Sequence, residues 1–579
     1  MSKLKDDFLL VATIDFGTAF SGYAFSTKED FKANPLQIHS NTWIRGTLMS
    51  LKTSTCIMFD KDKKFYKFGF EAEDAYSELA EDDNHKDYYY FRRFKMELFN
   101  RLKLKRRFML DDVMGKKMPA IDVFSACIKH LKDHLLDQVR KPIPDAREND
   151  IRWVLTVPAI WNDVAKQFMR EAAEKAGMTD ENLLIALEPE AASLCCRHLP
   201  MSALKGSQTF MPFQPNTKYL VFDAGGGTVD ITVHEVTSSG GLKEMYAATG
   251  GDWGGTYVDK AFRLFLAELC GNDVMADLEA TQTADYIDIF RSFEIIKRKF
   301  SPGMQDKVTI KVPSALNDIF KAKHGKDLKV HINSMAEYKG KVTWMGDKIR
   351  LEPAVAESFF KDACEKAASH LKNLFSKSEL RDVKTILMVR GFAESVLLQR
   401  VIKDETSLDK KIIIPNDAGL AILKGAVVFG HNPLIIKERR SRYTYGVGTS
   451  ILFKKGTHPE ANKITGNDGK EYCTNIFGKH VEIGQELVFG QNNVVKSYTP
   501  VNADQTQIGF RFFTSTDKDP MYVTDPNCTD IGNLTVDLAG SGTDRSVKVN
   551  MIFGDTELHV EAVEVANGKK SKCVLNFLG

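Results

Sequence analysis

Two short stretches carry the same order of chemically useful residues. VATIDFGTAFSGYAF (Val11–Phe25) and VFDAGGGTVDITVHEV (Val221–Val236) each run from an alternating apolar segment through aspartate, glycine and threonine into a second such segment. The first set is Asp15, Gly17 and Thr18; the second is Asp223, Gly225, Gly226, Gly227 and Thr228. Glycines between two strands let backbone N–H groups point into a concavity that suits an anion. The carboxylates suit a metal partner, because Mg2+ keeps several waters and takes one or two carboxylates together with phosphate oxygens. Two such hairpins therefore predict a clamp on a polyphosphate from opposite sides. Neither common phosphate loop matches, since both open a helix. Here Gly227 leads into a strand, with Val229, Ile231 and Val233 on one side and Asp230, Thr232 and His234 on the other.

Such hairpins need sheets to hold them. From Val11 to about Phe429, strand patterns mix with amphipathic helices, which predicts α/β architecture. Residues 121–139 repeat apolar positions at helical spacing and meet Pro142 and Pro144. IRWVLTVPAIW, from Ile151, reads as a strand closed by Pro158, and residues 164–176 as a helix ending at Gly177. A second long helix is expected in LEPAVAESFFKDACEKAASHLKNLF, from Leu351, and a loop-like crossing over 197–217. After Tyr443 the helical period vanishes. SVKVNMIF puts Val547, Val549, Met551 and Phe553 on one strand side, ELHVEAVEV does so with Leu558, Val560 and Ala562, and Asn567-Gly568 supplies a tight turn. An all-β sandwich is expected there.

At 579 residues the chain should hold roughly three or four packed units. A net charge of +2 gives no general drive toward nucleic acid or membrane. No run approaches the ~18 apolar residues of a membrane span, and the start of the chain lacks a secretory pattern. The nine scattered cysteines, with Cys195 and Cys196 adjacent, read as buried thiols of a reducing, cytoplasmic protein. Two basic runs, RLKLKRRF (Arg101–Phe108) and KERRSR (Lys437–Arg442), read as solvated faces, with anionic lipid contact the minority reading.

The paired hairpins resemble those of the actin, sugar-kinase and heat-shock-70 ATPase superfamily. VLTVPAIWND (Val154–Asp163), LEPEAAS (Leu187–Ser193), ATGGDWGGTYVD (Ala248–Asp259) and FEIIKRKFS (Phe293–Ser301) resemble, in order, motifs of the heat-shock-70 chaperones. The C-terminal FGDTELHVEAVEVANGKKSKCVLNF resembles the end of their β-sandwich, and RYTYGVG (Arg442–Gly448) is most similar to the heat shock 70 kDa protein 12 branch. The resemblance implies a two-lobed actin-like ATPase of duplicated RNase H-like lobes over residues 1–435. One lobe takes about 1–200 plus 411–435, the other about 215–410. A linker at 436–442 and a β-sandwich substrate-binding-like domain at 443–579 follow. It also implies ATP or ADP with Mg2+, metal ligation by Asp15, Asp223 and Asp230, and catalytic roles for Lys95, Glu188 and Asp223. Phosphate contacts fall to Gly17, Thr18, Ala19, Gly225, Gly226, Gly227, Thr228, Gly254 and Gly255. Glu294, Lys297, Arg298, Ser301 and Gly391 fall on the adenosine side.

Departures from the pattern matter equally. In ILMVRGFAES, Arg390 replaces a glycine and Glu394 stands where an arginine would stack on the base. Loss of that contact predicts ATP affinity weaker by ~1 kcal/mol or more. Thr256 replaces an acidic residue, LIIKERRSR is basic where an acidic-flanked leucine run is expected, and no helical lid is expected after the sandwich. The implied activity is a nucleotide-regulated protein or peptide binder with slow, Mg-dependent ATP hydrolysis. A nucleotide-binding scaffold or signalling adaptor with little turnover is the alternative, and a small-molecule kinase a third.

Overall fold

The computed structural model describes residues 7–45, 48–101, 104–205, 213–406, 410–466, 468–488, 494–553, 558–565, 568–574 and 578. Its first sheet is built on the hairpin of Leu10–Phe16 and Phe20–Thr27, paired antiparallel from Leu10 with Thr27 to Phe16 with Ser21. Leu10–Phe16 also runs parallel to Ile151–Val157, which runs parallel to Leu183–Leu187. Every residue of these last three strands is buried. That explains why their sequences read as continuous apolar runs, the mark of a parallel sheet covered on both faces.

The second sheet repeats this plan. Lys218–Ala224 pairs antiparallel with Val229–Val236 and parallel with Thr385–Val389, and Asp223 faces Asp230 across the hairpin. Leu242–Gly251 extends the sheet on one side and Lys411–Pro415 on the other. The assignment of all of 411–435 to the first lobe therefore needs correction. Lys411–Pro415 is a strand of the second sheet, while Ala421–His431 is a helix packed against the first.

The two sheets meet through that helix and Glu188–His198. Val11, Val154 and Leu184 from one sheet share a core with Tyr219, Val221 and Leu387 from the other and with residues of both helices. The helices cross so closely that a Cβ on Gly425 would lie 1.6 Å from the Ala191 carbonyl oxygen, so only glycine fits. Outer helices Ala120–Arg140 and Asp163–Lys175 cover the first sheet, and Gly255–Cys270 and Pro353–Phe375 the second.

Residues 436–442, expected as a linker, open with a strand. Ile436–Arg440 pairs parallel with Leu242–Gly251 and antiparallel with Glu486–Val488, so it joins the second sheet. Beyond it, Thr444–Leu452, Glu471–Val481, Gln507–Ser515 and Cys528–Asp537 belong to one antiparallel sheet, and Val494–Tyr498, Val547–Phe553 and Leu558–Glu564 to another. Tyr445, Val447 and Phe512 share a core with Val549, Met551 and Val560 across the two. Phe553 lies at the edge of that core, half-buried. Asn567 of the expected turn lies outside the described residues. Among the described residues no helix is long and apolar enough to cross a membrane. Cys195 and Cys196 are buried free thiols whose pKa values burial raises, Cys195 to about 12.

Candidate functional site

The ends of three parallel-sheet strands deliver carboxylates to one place. Asp15 and Asp223 are the penultimate residues of Leu10–Phe16 and Lys218–Ala224, and Glu188 follows Leu183–Leu187 as the first residue of the crossing helix. Asp230 arrives from the return strand opposite Asp223. All four side chains are buried, and isolated carboxylates cannot stay charged there without partners.

The partners are Lys52, Lys95 and Arg390. Lys52 Nζ lies 2.6 Å from Asp15 Oδ2, and Thr156 Oγ1 donates to Asp15 Oδ1 at 2.9 Å. Lys95, 1% exposed, places Nζ 3.1 Å from Glu188 Oε1 and 5.0 Å from the Trp161 ring centroid. Arg390 bridges three carboxylates: Nη2 is 3.3 Å from Asp15 Oδ1, Nη1 is 2.8 Å from Glu188 Oε2, and Nε is 3.5 Å from Asp223 Oδ1. Asp230 accepts from the Ile160 amide at 3.0 Å and from Thr228 Oγ1 at 2.7 Å.

This distribution separates the acids. Burial would raise Asp15, but Lys52 and Arg390 outweigh it and hold the carboxyl well below the usual range. Burial pushes Asp223 well above its ordinary value despite Arg390, with Glu188, Asp230 and Asp15 adding to the rise. Asp230 rises to about 6, chiefly through burial and Glu188. Asp223 is also the carboxylate whose two oxygens both lack a hydrogen bond.

The glycine loops face each other above this network. A Cβ on Gly227 would meet Met96 Sδ at 2.3 Å and Thr18 Oγ1 at 2.7 Å; one on Gly226 would meet Ala19 Cβ at 2.9 Å. Gly225 has Arg390 Nη1 at 2.8 Å from the same position. The amides of Gly254, Gly255 and Thr256, at the start of the helix, donate to the carbonyls of Gly227, Gly225 and Gly226 at 3.2, 3.0 and 2.8 Å. That helix end therefore braces the loop instead of presenting its N–H groups to a ligand.

On the other side of the cleft mouth, Glu294 pairs with Lys297 at 2.5 Å and with Arg298 at 2.8 Å. Lys297 also reaches Asp259 at 2.7 Å, as does Arg93. The Arg298 guanidinium lies 5.4 Å from the Phe20 ring centroid, which ties this helix to the first glycine loop. Ser301 is half-buried just beyond it, with its amide 3.5 Å from Met304 Sδ. Gly391 faces open space, and Glu394 is exposed with its carboxylate accepting from the Gly419 amide at 3.3 Å.

Comparison with known proteins agrees with the residue pattern. A family model described as Hsp70 protein matches residues 94–339. Heat shock 70 kDa protein 12A of Mus musculus and of Homo sapiens are each 35% identical to the chain, covering 99% of it and 92% of the relative. The chain belongs to the heat shock 70 kDa protein 12 branch of the heat-shock-70 family. Human heat shock 70 kDa protein 12B is 33% identical over 99% of the chain and 91% of its own length. A chaperone protein HscA homolog of Acinetobacter baumannii is 24% identical over 53% of the chain.

Heat-shock-70 membership raises the question of a divalent metal, and the donor set answers it. Both oxygens of Asp15, Glu188 and Asp230 already have a hydrogen-bonding or cationic partner in the protein, whereas Asp223 has only the 3.5 Å approach of Arg390 Nε to Oδ1 and no hydrogen bond on either oxygen. Among the described residues no cluster of three or more ligating side chains could hold a metal ion. As placed, Asp15, Asp223 and Asp230 do not fit Mg2+, in contrast to the expectation from sequence. The physical reason is Arg390, whose guanidinium sits among the carboxylates the metal would need.

Two contributors escaped the sequence reading. Lys52 lies in no motif, and nothing in LKTST marks it. Arg390 stood out as a glycine replacement, but its role was not legible because side-chain direction depends on tertiary context. The basic run 437–442 is not a solvated face either. Arg439 makes a two-point pair with Glu190 at 2.9 and 2.7 Å, and Arg442 donates to the Trp161 carbonyl at 2.9 Å. Arg106, in the other run, pairs with Glu171 at 2.8 Å.

Proposed function

We propose that the chain binds ATP or ADP in the cleft between its two glycine hairpins, and that this nucleotide regulates a protein or peptide partner held by residues 443–579. The observation that carries the reading is the close approach of Thr18 and Ala19 to Gly227 and Gly226 over a buried network of carboxylates and cations. On this reading residues 1–435 act as a two-lobed actin-like ATPase, and the sheets beyond Tyr443 as its binding sandwich. Gly17, Thr18, Ala19, Gly225, Gly226, Gly227 and Thr228 line the phosphate side, with Gly254 and Gly255 bracing the loop. Glu294, Lys297, Arg298, Ser301 and Gly391 line the adenosine side, although Lys297 is already committed to Asp259 and Glu294.

Hydrolysis on this reading is slow. Lys95 and Glu188 neutralise each other, and among these four carboxylates Asp223 is the one with neither oxygen hydrogen-bonded. Its raised pKa favours the protonated form, which limits its use as a base toward a water. The same full engagement of Glu188 favours a second reading, a nucleotide-dependent scaffold or signalling adaptor with little turnover. The free thiols fit a reducing, cytoplasmic setting.

Calorimetric titration with ATP and with ADP, followed by single-turnover hydrolysis, tests both readings. Saturable binding of both nucleotides with measurable cleavage is the expected result. Binding without cleavage selects the scaffold, and absence of binding overturns the nucleotide reading itself.

A further inference from the structure

Arg390 occupies a position whose backbone favours glycine. Its φ is 72°, in the left-handed region, where a side chain other than glycine is strained. Such strain persists only where surrounding contacts over-determine it, and it tends to mark functional positions. Here the determining contacts are the three carboxylates around the guanidinium and the hydrogen bond that the Arg390 amide donates to the Ala418 carbonyl at 2.9 Å. The side chain is nearly buried, and Nη1 lies against the Gly225 edge of the phosphate loop.

The charges explain what the arginine supplies. Without it, Asp15, Glu188, Asp223 and Asp230 would face only Lys52 and Lys95, and a polyphosphate entering the cleft would meet excess negative charge. A divalent cation is the ordinary remedy. Arg390 gives a fixed positive charge at the centre of the same group. A guanidinium also carries five N–H donors in a planar fork suited to phosphate oxygens, and its three carboxylate contacts need not consume them all.

We propose that Arg390 is a resident counter-ion standing in for the divalent metal, so that this cleft holds a nucleoside polyphosphate without Mg2+. The inference rests on the nucleotide reading above. It assigns Arg390 a direct binding role toward the phosphates, and it predicts that the usual metal requirement is encoded at one residue. Removing the side chain relieves the backbone strain while leaving Asp15 and Glu188 with Lys52 and Lys95 alone and Asp223 without its cation. A hydrated metal ion could then take the vacated space.

The test is calorimetric titration of the full chain with ADP, in EDTA and in excess Mg2+, for the wild type, Arg390→Gly and Arg390→Lys. The wild type should bind with dissociation constants that agree within about threefold in the two buffers. Arg390→Gly should lose about tenfold or more in EDTA and recover with Mg2+. Arg390→Lys keeps the charge without the fork, so it should retain metal-independent binding at weaker affinity. Wild-type binding that collapses in EDTA overturns the metal replacement while leaving the nucleotide reading intact. Arg390→Gly binding equally well in both buffers also overturns it. Wild-type failure to bind ADP in either buffer overturns the nucleotide reading, and this inference with it. Because the wild-type comparison alone is decisive, poor folding of a variant does not shelter the proposal.

Discussion

Asp15 and Asp223 look alike in the sequence, each an aspartate before a glycine-threonine loop, yet the structure gives them opposite environments. Asp15 is ionised and held by Lys52, Arg390 and Thr156. Asp223 is buried with two unbonded oxygens and a pKa far above the ordinary carboxylate value. Asp15→Asn should therefore cost roughly 2–4 kcal/mol, because it strands buried cations, whereas Asp223→Asn should cost less than about 1 kcal/mol near neutral pH. Thermal and denaturant midpoints of the two variants measure this directly, and equal losses would contradict the assignment. The Lys95–Glu188 pair gives a second residue-scale expectation. Lys95→Met should destabilise by roughly 3 kcal/mol, since it leaves Glu188 facing Arg390 alone. Adding Glu188→Gln should recover part of that loss, and a double-mutant cycle reads the coupling. Additive losses would mean that the two side chains act independently. The repeated aspartate, glycine and threonine order was enough to bring both hairpins to one cleft. Lys52 left no such trace, because an ion pair across thirty-seven residues depends on packing and not on local spacing.

At the scale of elements, the strands and long helices were legible because burial on both faces, or on one helical stripe, imposes its period on the sequence. The strand Ile436–Arg440 was not, since its residues alternate no apolar pattern and its pairing is repaid by charged contacts instead. Glu244 holds this strand by accepting the Arg440 amide at 2.9 Å. Its pKa rises to about 7, first through burial and then through Glu190, against the Arg440 bond, Arg439 and Lys166. His234, opposite Glu244 on the neighbouring strand, is pushed down to about 4 by burial and stays neutral through this range. The unfolded carboxyl titrates near 4.5, so between about 4.5 and 7 the native state binds the extra proton. Stability from this group is complete below that window and lost as pH rises through about 7. The thermal midpoint should fall between pH 5.5 and pH 8, and Glu244→Gln should shrink that fall. An unchanged pH dependence in the variant would remove Glu244 as a contributor. Asp230, raised to about 6, contributes a residual fall with the same sign.

Across the whole molecule, two chains of contact run from the cleft to the sandwich. One passes from Glu188 along its helix to Glu190 and across to Arg439 of the docked strand, whose neighbour Arg440 pairs with Glu486 at 2.6 Å. The other passes from Lys95 over Trp161 to Arg442, and Tyr445 adds a bond to Asp163 at 2.7 Å. Both begin at residues that a nucleotide would touch or neighbour, and both end on strands that carry the sandwich core. The basic segment 436–442 is thus the one best placed to link the cleft to the sandwich. Physical contiguity alone does not establish coupling, which needs an element that both sites bias. The docked strand is the candidate, because it pairs with the glycine-loop sheet on one edge and with Glu486–Val488 on the other. Coupling is reciprocal, so a strand that nucleotide stabilises must in turn stabilise nucleotide by the same factor. Arg439→Ala breaks the first chain without touching the cleft. It should weaken ADP binding by about fivefold, and amide hydrogen exchange over residues 436–440 should no longer slow when ADP is added. Exchange that is identical with and without ADP in the wild type, together with unchanged affinity in Arg439→Ala, would mean that the strand is a fixed brace and that partner binding by the sandwich is independent of the cleft.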